Sequence, residues 1–135
     1  MFYPITDIGG IDGDVATTLK SAGIRSTGRL LEVARTVKGR KELAEKTGLP
    51  EKQLLCWANV ADRMRIRGVS KEYAELLQAA GVDTVKELKY RNPANLASAM
   101  ADANRKRKMV RLLPSEKVVV RWIEEAKKLP LKISY

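Results

Sequence analysis

The chain has 135 residues, of which 44% are hydrophobic and 31% charged, enough to form a folded domain with a buried core. No apolar run approaches the ~18 residues that span a bilayer, and the N-terminus lacks the pattern of a secretory signal, so we expect a cytoplasmic protein. Lys and Arg number 26 against 16 Asp and Glu, a formal net charge of +10. This excess favours nucleic acid as a partner ahead of a membrane, and we expect no membrane partner.

One stretch of sequence occurs twice, 58 positions apart, from Ile8 to Leu30 and from Ile66 to Leu88. In both copies a glycine (Gly10 or Gly68) is followed by Ala after six residues and by Leu after nine. The dipeptide Ala-Gly then follows at twelve and thirteen. Self-similarity at a fixed spacing predicts one supersecondary unit per copy: a glycine hairpin, a helix, a glycine turn and another helix.

In the first copy, apolar residues at helical spacing predict a helix between Asp12, as its N-cap, and Gly23. A shorter helix is predicted from about Ser26 to Val37, and Gly39 is expected to break the chain after it. A long helix then begins at Pro50.

In the second copy, Ser70 is the predicted N-cap of a helix that ends at Gly81. A short helix from about Thr84 to Tyr90 is followed by a break at Asn92-Pro93. The last long helix is predicted from about Ser115 to Leu129.

The predicted fold class is all-α, with about eight helices in two tandem units, residues 8–64 and 66–129, followed by a tail at 130–135. The two units are expected to form one compact, pseudo-twofold domain spanning 1–135. Trp57 and Trp122, 65 positions apart, are predicted core anchors of the long helices. Because no long helix precedes the first hairpin, we expect the C-terminal helix to fold back beside it, or to be swapped in a dimer. Residues 2–5 and 131–135 are expected to pair with each other.

The spacing of glycines, Ala and Leu in each copy resembles the helix-hairpin-helix motif, and the two copies resemble the tandem domain of many DNA-repair and recombination proteins. More closely, the whole chain is similar to an uncharacterised bacterial tandem helix-hairpin-helix family catalogued as a domain of unknown function. That similarity rests on residues Gly39–Gly48, Trp57 with Ala61-Asp62, Ala79–Leu88 and Leu113–Lys117.

The resemblance implies sequence-independent contact of the hairpin N–H groups with DNA phosphates, the partner being double-stranded DNA in the bacterial nucleoid. Carried over by position, the phosphate-binding residues are Gly10 and Gly13 in the first copy, and Gly68, Ser70 and Lys71 with Arg65 and Arg67 in the second. Asp12 and Ser70 stand where the motif has its second hairpin glycine. Because the Asp12 carboxylate repels phosphate, the second hairpin is the stronger candidate.

A run of cations follows the second copy and is predicted to be an exposed basic patch: Arg105, Lys106, Arg107, Lys108 and Arg111. It would bind a polyanion in a salt-sensitive manner. The alternative function is a protein-interaction or scaffold module, in which the hairpins are structural turns and the basic face binds an acidic protein or a second copy of the chain.

Catalysis is not expected, because the chain has no His and therefore lacks the usual general base and metal ligand. We predict no catalytic residue, no metal site and no cofactor. The alternatives are an accessory nuclease or lyase activity and a divalent metal site at Asp7, Asp12 and Asp14. Cys56 is the single cysteine, and its neighbours Leu55 and Trp57 predict a buried, reduced thiol.

Overall fold

The computed structural model describes residues 3–135, and within them the chain is all-α, as predicted. A short 3₁₀ helix at Ile5–Asp7 precedes eight α-helices. These are α1 (Gly13–Ser21), α2 (Thr27–Ala34), α3 (Val37–Thr47), α4 (Glu51–Arg63), α5 (Lys71–Ala79), α6 (Val85–Lys89), α7 (Pro93–Lys106) and α8 (Glu116–Lys128). No helix of this part of the chain is both long and apolar enough to cross a membrane.

The helices fall into two compact units of four. Unit 1 contains the residues through Arg65 together with Lys132–Tyr135, and unit 2 contains Ile66–Leu131. In unit 1, α2 packs against α3 and α4, which also contact each other. In unit 2, α8 packs against α6 and α7, and α5 packs against α7. The last helix of each unit, α4 or α8, therefore packs against two earlier helices of the same unit.

The two glycine hairpins, defined here as residues 8–13 and 66–71, share one backbone turn. In the first, the Ile11 N–H donates to the Ile8 carbonyl over 3.1 Å, and in the second Val69 donates to Ile66 over 3.0 Å. These four apolar side chains are buried, so each hairpin is fixed to its unit from below while its tip stays at the surface.

The glycine of each hairpin lies against the tryptophan of a long helix. Gly10 and Gly68 have φ of 91° and 90°, a left-handed conformation that side chains rarely adopt. A Cβ added at Gly10 would lie 3.5 Å from Trp57 Nε1, and one at Gly68 would lie 3.3 Å from Trp122 Nε1. Both indoles are buried, which confirms them as core anchors. Helix α4, which carries Trp57, is thus the long helix packed against the first hairpin. The expectation that the C-terminal helix occupies this position is wrong.

The break between α2 and α3 lies earlier than predicted. Helix α2 ends at Ala34, and α3 begins at Val37, where the Thr36 hydroxyl accepts the Gly39 N–H over 3.0 Å. Gly39 therefore lies inside α3 and does not break it. An added Cβ there would clash with the Val33 carbonyl oxygen, so this glycine permits the close approach of consecutive helices.

The described residues of the two chain ends, which were expected to pair with each other, bond to other parts of unit 1. Within the described residues of the N-terminal segment, Pro4 forms an antiparallel bridge with Ser26, whereas Phe2 lies outside them. The C-terminal segment bonds elsewhere in unit 1: the Ser134 N–H donates to the Arg35 carbonyl over 2.8 Å, and Arg40 Nη2 donates to the Ser134 carbonyl over 2.7 Å.

Cys56 is exposed, and the prediction of a buried thiol is wrong. Helix α4 buries Leu54, Trp57 and Ala58, which lie three and four residues apart on one face. Cys56 is two positions from Leu54 and so lies about 200° around the helix from it. The exposure of Cys56 is therefore determined by its position around the helix and not by its apolar neighbours in sequence.

Candidate functional site

The helix that follows each hairpin differs from most others in how its N-terminus is capped. In α2, α3, α6, α7 and α8 the N-cap side chain accepts a backbone N–H of the first turn, the caps being Ser26, Thr36, Thr84, Asn92 and Ser115. Asp12 and Ser70 hold the N-cap positions of α1 and α5 as predicted, but neither side chain makes such a bond. The first-turn N–H groups of both hairpin helices are therefore not occupied by their own cap residue.

The second hairpin presents these N–H groups between cations. Gly68 is exposed, Ser70 is half-buried, and the side chains of Arg67 and Lys71 on either side are exposed. The partial positive charge of the α5 N-terminus adds to the charges of the two side chains. Backbone donors, a helix N-terminus and two cations form an arrangement that suits an oxygen anion such as phosphate.

Two further cations, Arg63 and Arg65, precede the second hairpin, and neither is exposed. Arg63 has an exposed fraction of only 1% at the end of α4. The Arg65 guanidinium contacts Asp62 Oδ1, with Nε at 2.6 Å and Nη2 at 2.5 Å, and its side chain is only 13% exposed. Sequence reasoning assigned Arg65 to phosphate, but the structure commits it to this ion pair, so we remove it from the candidate site.

The Asp62 carboxyl beside Arg65 is itself almost fully buried, with 5% of the residue exposed. Burial raises its pKa above the ordinary value of 3.8, because the charged form loses its hydration. The attraction and hydrogen bond of Arg65, and the more distant charges of Arg63 and Lys132, oppose that rise but do not cancel it. This buried pair belongs to the framework of unit 1.

A carboxylate from α8 already touches the second hairpin. Glu125 Oε1 accepts the backbone N–H of Arg67 over 3.2 Å, and the glutamate is half-buried. The hairpin backbone can therefore hold an anionic oxygen, and here it holds one from its own unit. The same carboxylate lowers the positive potential next to Gly68.

The first hairpin is poorer in positive charge. Gly10, Asp12 and Gly13 are exposed, and Asp14 adds a second exposed carboxylate in the first turn of α1. The first turn of α5 also has one exposed carboxylate, Glu72, but its N-cap Ser70 is uncharged. Acidic side chains at a helix N-terminus stabilise the helix through its dipole. The same charges repel a phosphate, which agrees with the lower rank of Gly10 and Gly13 in the sequence-based prediction.

The basic patch lies on the end of α7 and in the loop that follows it. All five predicted residues are exposed: Arg105, Lys106, Arg107, Lys108 and Arg111. Arg105 forms an ion pair with Asp102, and the loop ends beside α5, where the Tyr73 hydroxyl donates to the Leu112 carbonyl over 2.9 Å. In unit 2, therefore, the basic loop is joined to the first turn of the helix that follows the second hairpin.

A family model described as Domain of unknown function (DUF4332) matches residues 9–129. The chain belongs to this family. No curated protein and no solved structure matches the chain. The region matched to DUF4332 includes the tip of the first hairpin, the whole second hairpin and both long helices.

Sequence reasoning missed how the hairpins of this DUF4332 chain are supported. Trp57 and Trp122 were predicted to be buried, but not to lie beneath Gly10 and Gly68. A signal was present: each tryptophan follows its hairpin glycine by about fifty residues in both copies. Among the described residues, no cluster of three or more His, Cys, Asp or Glu side chains could hold a metal ion.

Proposed function

We propose that this DUF4332 protein binds double-stranded DNA without sequence preference, through the second hairpin of unit 2. The observation that carries the proposal is the N-terminus of α5, whose first-turn N–H groups are not capped by Ser70 and lie between the exposed cations Arg67 and Lys71. The five exposed cations from Arg105 to Arg111 add a long-range attraction for the same polyanion. Such a protein would act on the bacterial nucleoid, in the cytoplasm.

The proposal includes that the two units are helix-hairpin-helix units. Supporting it, both copies make the same turn bond, 3.1 Å in one and 3.0 Å in the other, around a glycine with φ near 90°. In both, the helix after the hairpin ends in the same way, with Ile24 donating to Leu19 and Val82 donating to Leu77 over 2.9 Å. The two copies therefore share the hairpin turn before the first helix and the turn that ends it.

Lack of sequence preference follows from the groups involved. Backbone N–H groups and the ends of Arg67 and Lys71 suit phosphate oxygens, which position a protein on a duplex but carry no base information. No helix is proposed to enter a groove and contact base edges. Affinity is therefore expected to be electrostatic and to fall steeply with added salt.

A fluorescently labelled duplex, titrated at several salt concentrations, tests this proposal. We expect binding at low salt whose logarithm falls linearly with the logarithm of salt, and affinities that are equal for duplexes of unrelated sequence. Absence of binding at low salt, or a strong preference for one sequence, would contradict it.

The site is tested by the double variant Gly68→Val with Lys71→Glu. The valine blocks close approach of the hairpin backbone, and the glutamate replaces an attraction by a repulsion, so we expect affinity to fall by at least about tenfold. Lys86→Glu, an equal charge change on α6 beyond the other end of α5, is the matched control and should lose much less. Circular dichroism must show that both variants remain folded. Full affinity in a folded double variant would place the DNA site elsewhere.

A further inference from the structure

Unit 2 contains an open groove of about 930 Å³, within the size range of ligand-binding clefts. One wall is the face of α7 that carries Ser98, Ala101, Asp102 and Arg105, residues spaced three and four positions apart. The other wall is the loop after α7, which contributes Lys108 to Arg111 and Leu113. Small side chains at 98 and 101 leave the floor of the groove open.

Hydrogen bonds from two side chains, Asn104 and Tyr73, hold the loop wall in place. Asn104 Oδ1 accepts the backbone N–H groups of Met109 and Val110 over 2.9 and 3.0 Å, and its Nδ2 donates to the Val110 carbonyl over 3.2 Å. The Tyr73 hydroxyl fixes the loop again at the Leu112 carbonyl. The groove is thus preorganised, which reduces the entropy lost when a ligand binds.

The lining combines aliphatic surface with unbalanced positive charge. Met109 and Val110 are half-buried, and Leu113 is 38% exposed at the rim. The charge of Arg105 is balanced by Asp102. Lys108 and Arg111 are exposed and have no ion-pair partner in the part of the chain that the structure describes. A ligand that matches this groove carries both apolar side chains and negative charge.

We propose that the groove binds an acidic segment of a partner protein, in which Asp or Glu residues alternate with aliphatic ones. The aliphatic side chains pack on Ala101, Met109 and Val110, and the carboxylates pair with Lys108 and Arg111. This is a function beyond DNA binding, in a groove lined by residues outside the hairpin. It gives the protein a means of joining an acidic protein to DNA.

A single strand of nucleic acid fits the groove less well. Grooves that bind single strands combine cations with aromatic side chains on which the bases stack. No aromatic residue lines this groove, whose apolar surface is entirely aliphatic. Aliphatic floor and cationic rim together favour a peptide with aliphatic anchors.

The test uses the full chain and a short labelled peptide in which Asp and Glu alternate with Leu, with binding followed by fluorescence anisotropy. Two control peptides separate the contributions: one replaces Leu by Ser at equal charge, and the other replaces the acids by Lys. We expect the first control to bind at least about tenfold more weakly and the second not to bind, since both apolar contact and charge contribute. Equal binding of the Leu and Ser peptides would overturn the proposal.

Ala101→Trp fills the groove without changing charge, and Ser98→Trp is a second filling variant at an exposed position should the first fail to fold. Each is expected to weaken peptide binding by at least about tenfold while leaving duplex affinity unchanged. Lys71→Glu should weaken duplex binding and leave peptide binding unchanged. Failure of the DNA site and failure of the groove are therefore distinguishable. If Ala101→Trp instead abolishes binding of a single-stranded oligonucleotide, or disrupts a dimer seen by light scattering, the occupant is a nucleic acid or a second copy, and the proposal is wrong.

Discussion

Glu125 Oε1 accepts the backbone N–H of Arg67 over 3.2 Å, so a carboxylate of α8 lies at the base of the second hairpin. The contact has two opposite consequences. It holds the hairpin against the helix that carries Trp122, and it places negative charge beside the surface proposed to bind phosphate. The hairpin of unit 2 is therefore more acidic at its base than its sequence motif alone suggests.

Glu125→Gln is expected to increase the affinity for duplex DNA by about threefold, because it removes a repulsion of roughly 0.7 kcal/mol, the value for unit charges ~6 Å apart in water. The amide oxygen can still accept the Arg67 N–H, so the hairpin should keep its conformation. Duplex titrations at low salt measure the change, and the gain should shrink as salt is added.

Glu124→Gln is the matched control for this prediction. It removes the same charge from the same helix, but Glu124 is exposed and paired with Lys127 over 3.2 Å. We expect a smaller gain from it than from Glu125→Gln. Equal gains in both variants would mean that only net charge matters and that the hairpin is not the site.

Gly39→Ala is expected to destabilise the protein, although alanine favours a helix interior by about 1 kcal/mol relative to glycine. The added Cβ would clash with the Val33 carbonyl oxygen, so α2 and α3 must move apart. Such overpacking costs about 1–3 kcal/mol, and some of it is offset by the helix propensity. Urea unfolding followed by circular dichroism measures the net change.

Lys41→Ala, at an exposed position of the same helix, serves as the control and should change stability by less than about 0.5 kcal/mol. If Gly39→Ala proves as stable as the wild type, the crossing of α2 and α3 is looser than the structure indicates.

The repeat of glycines and apolar residues was sufficient to predict the all-α fold and the positions of six of the eight α-helices, because local spacing determines which face of a helix is buried, but it did not place α3 or α7. The sequence-based prediction failed where a residue's position depends on a contact between helices or on the side of the helix on which it lies. Gly39 lies within α3 and is needed for the close approach of Val33 at the end of α2, and Cys56 is exposed because the buried face of α4 lies on the other side of the helix. In the candidate site, the second hairpin follows from its motif, and the pairing of Arg65 with Asp62 three positions away is a local contact that helical spacing allows. The contact of Glu125 with the Arg67 N–H joins residues 58 positions apart, and no local pattern predicts it.

The hydrogen bonds that Arg40 makes to the C-terminal segment give a further prediction. Arg40 is buried, with 5% of the residue exposed, and donates to the carbonyls of Ala34 over 2.9 Å and Ser134 over 2.7 Å. Arg40→Met keeps most of the apolar stem but leaves both carbonyls without this donor, which should cost about 1–3 kcal/mol. Chemical unfolding measures the loss, and amide hydrogen exchange at Ser134, whose N–H donates to Arg35, should accelerate. Lys41→Met is the exposed control, and an equal effect from it would show that the two Arg40 hydrogen bonds contribute nothing.

Asp62 gives a prediction for pH. Its pKa is raised in the folded state above 3.8, so between 3.8 and the raised value the folded protein binds more protons at this site than the unfolded chain does. The free energy of unfolding therefore decreases as pH rises through this window, and the site has no pH effect below it.

Asp62→Asn removes the titration, so the stability of wild type relative to this variant should fall as pH rises from about 4. Arg65→Gln removes the attraction that opposes burial and should extend the fall to higher pH. Urea unfolding of the three proteins at a series of pH values measures both effects. A relative stability of wild type that rises with pH would show that the Arg65 ion pair outweighs burial.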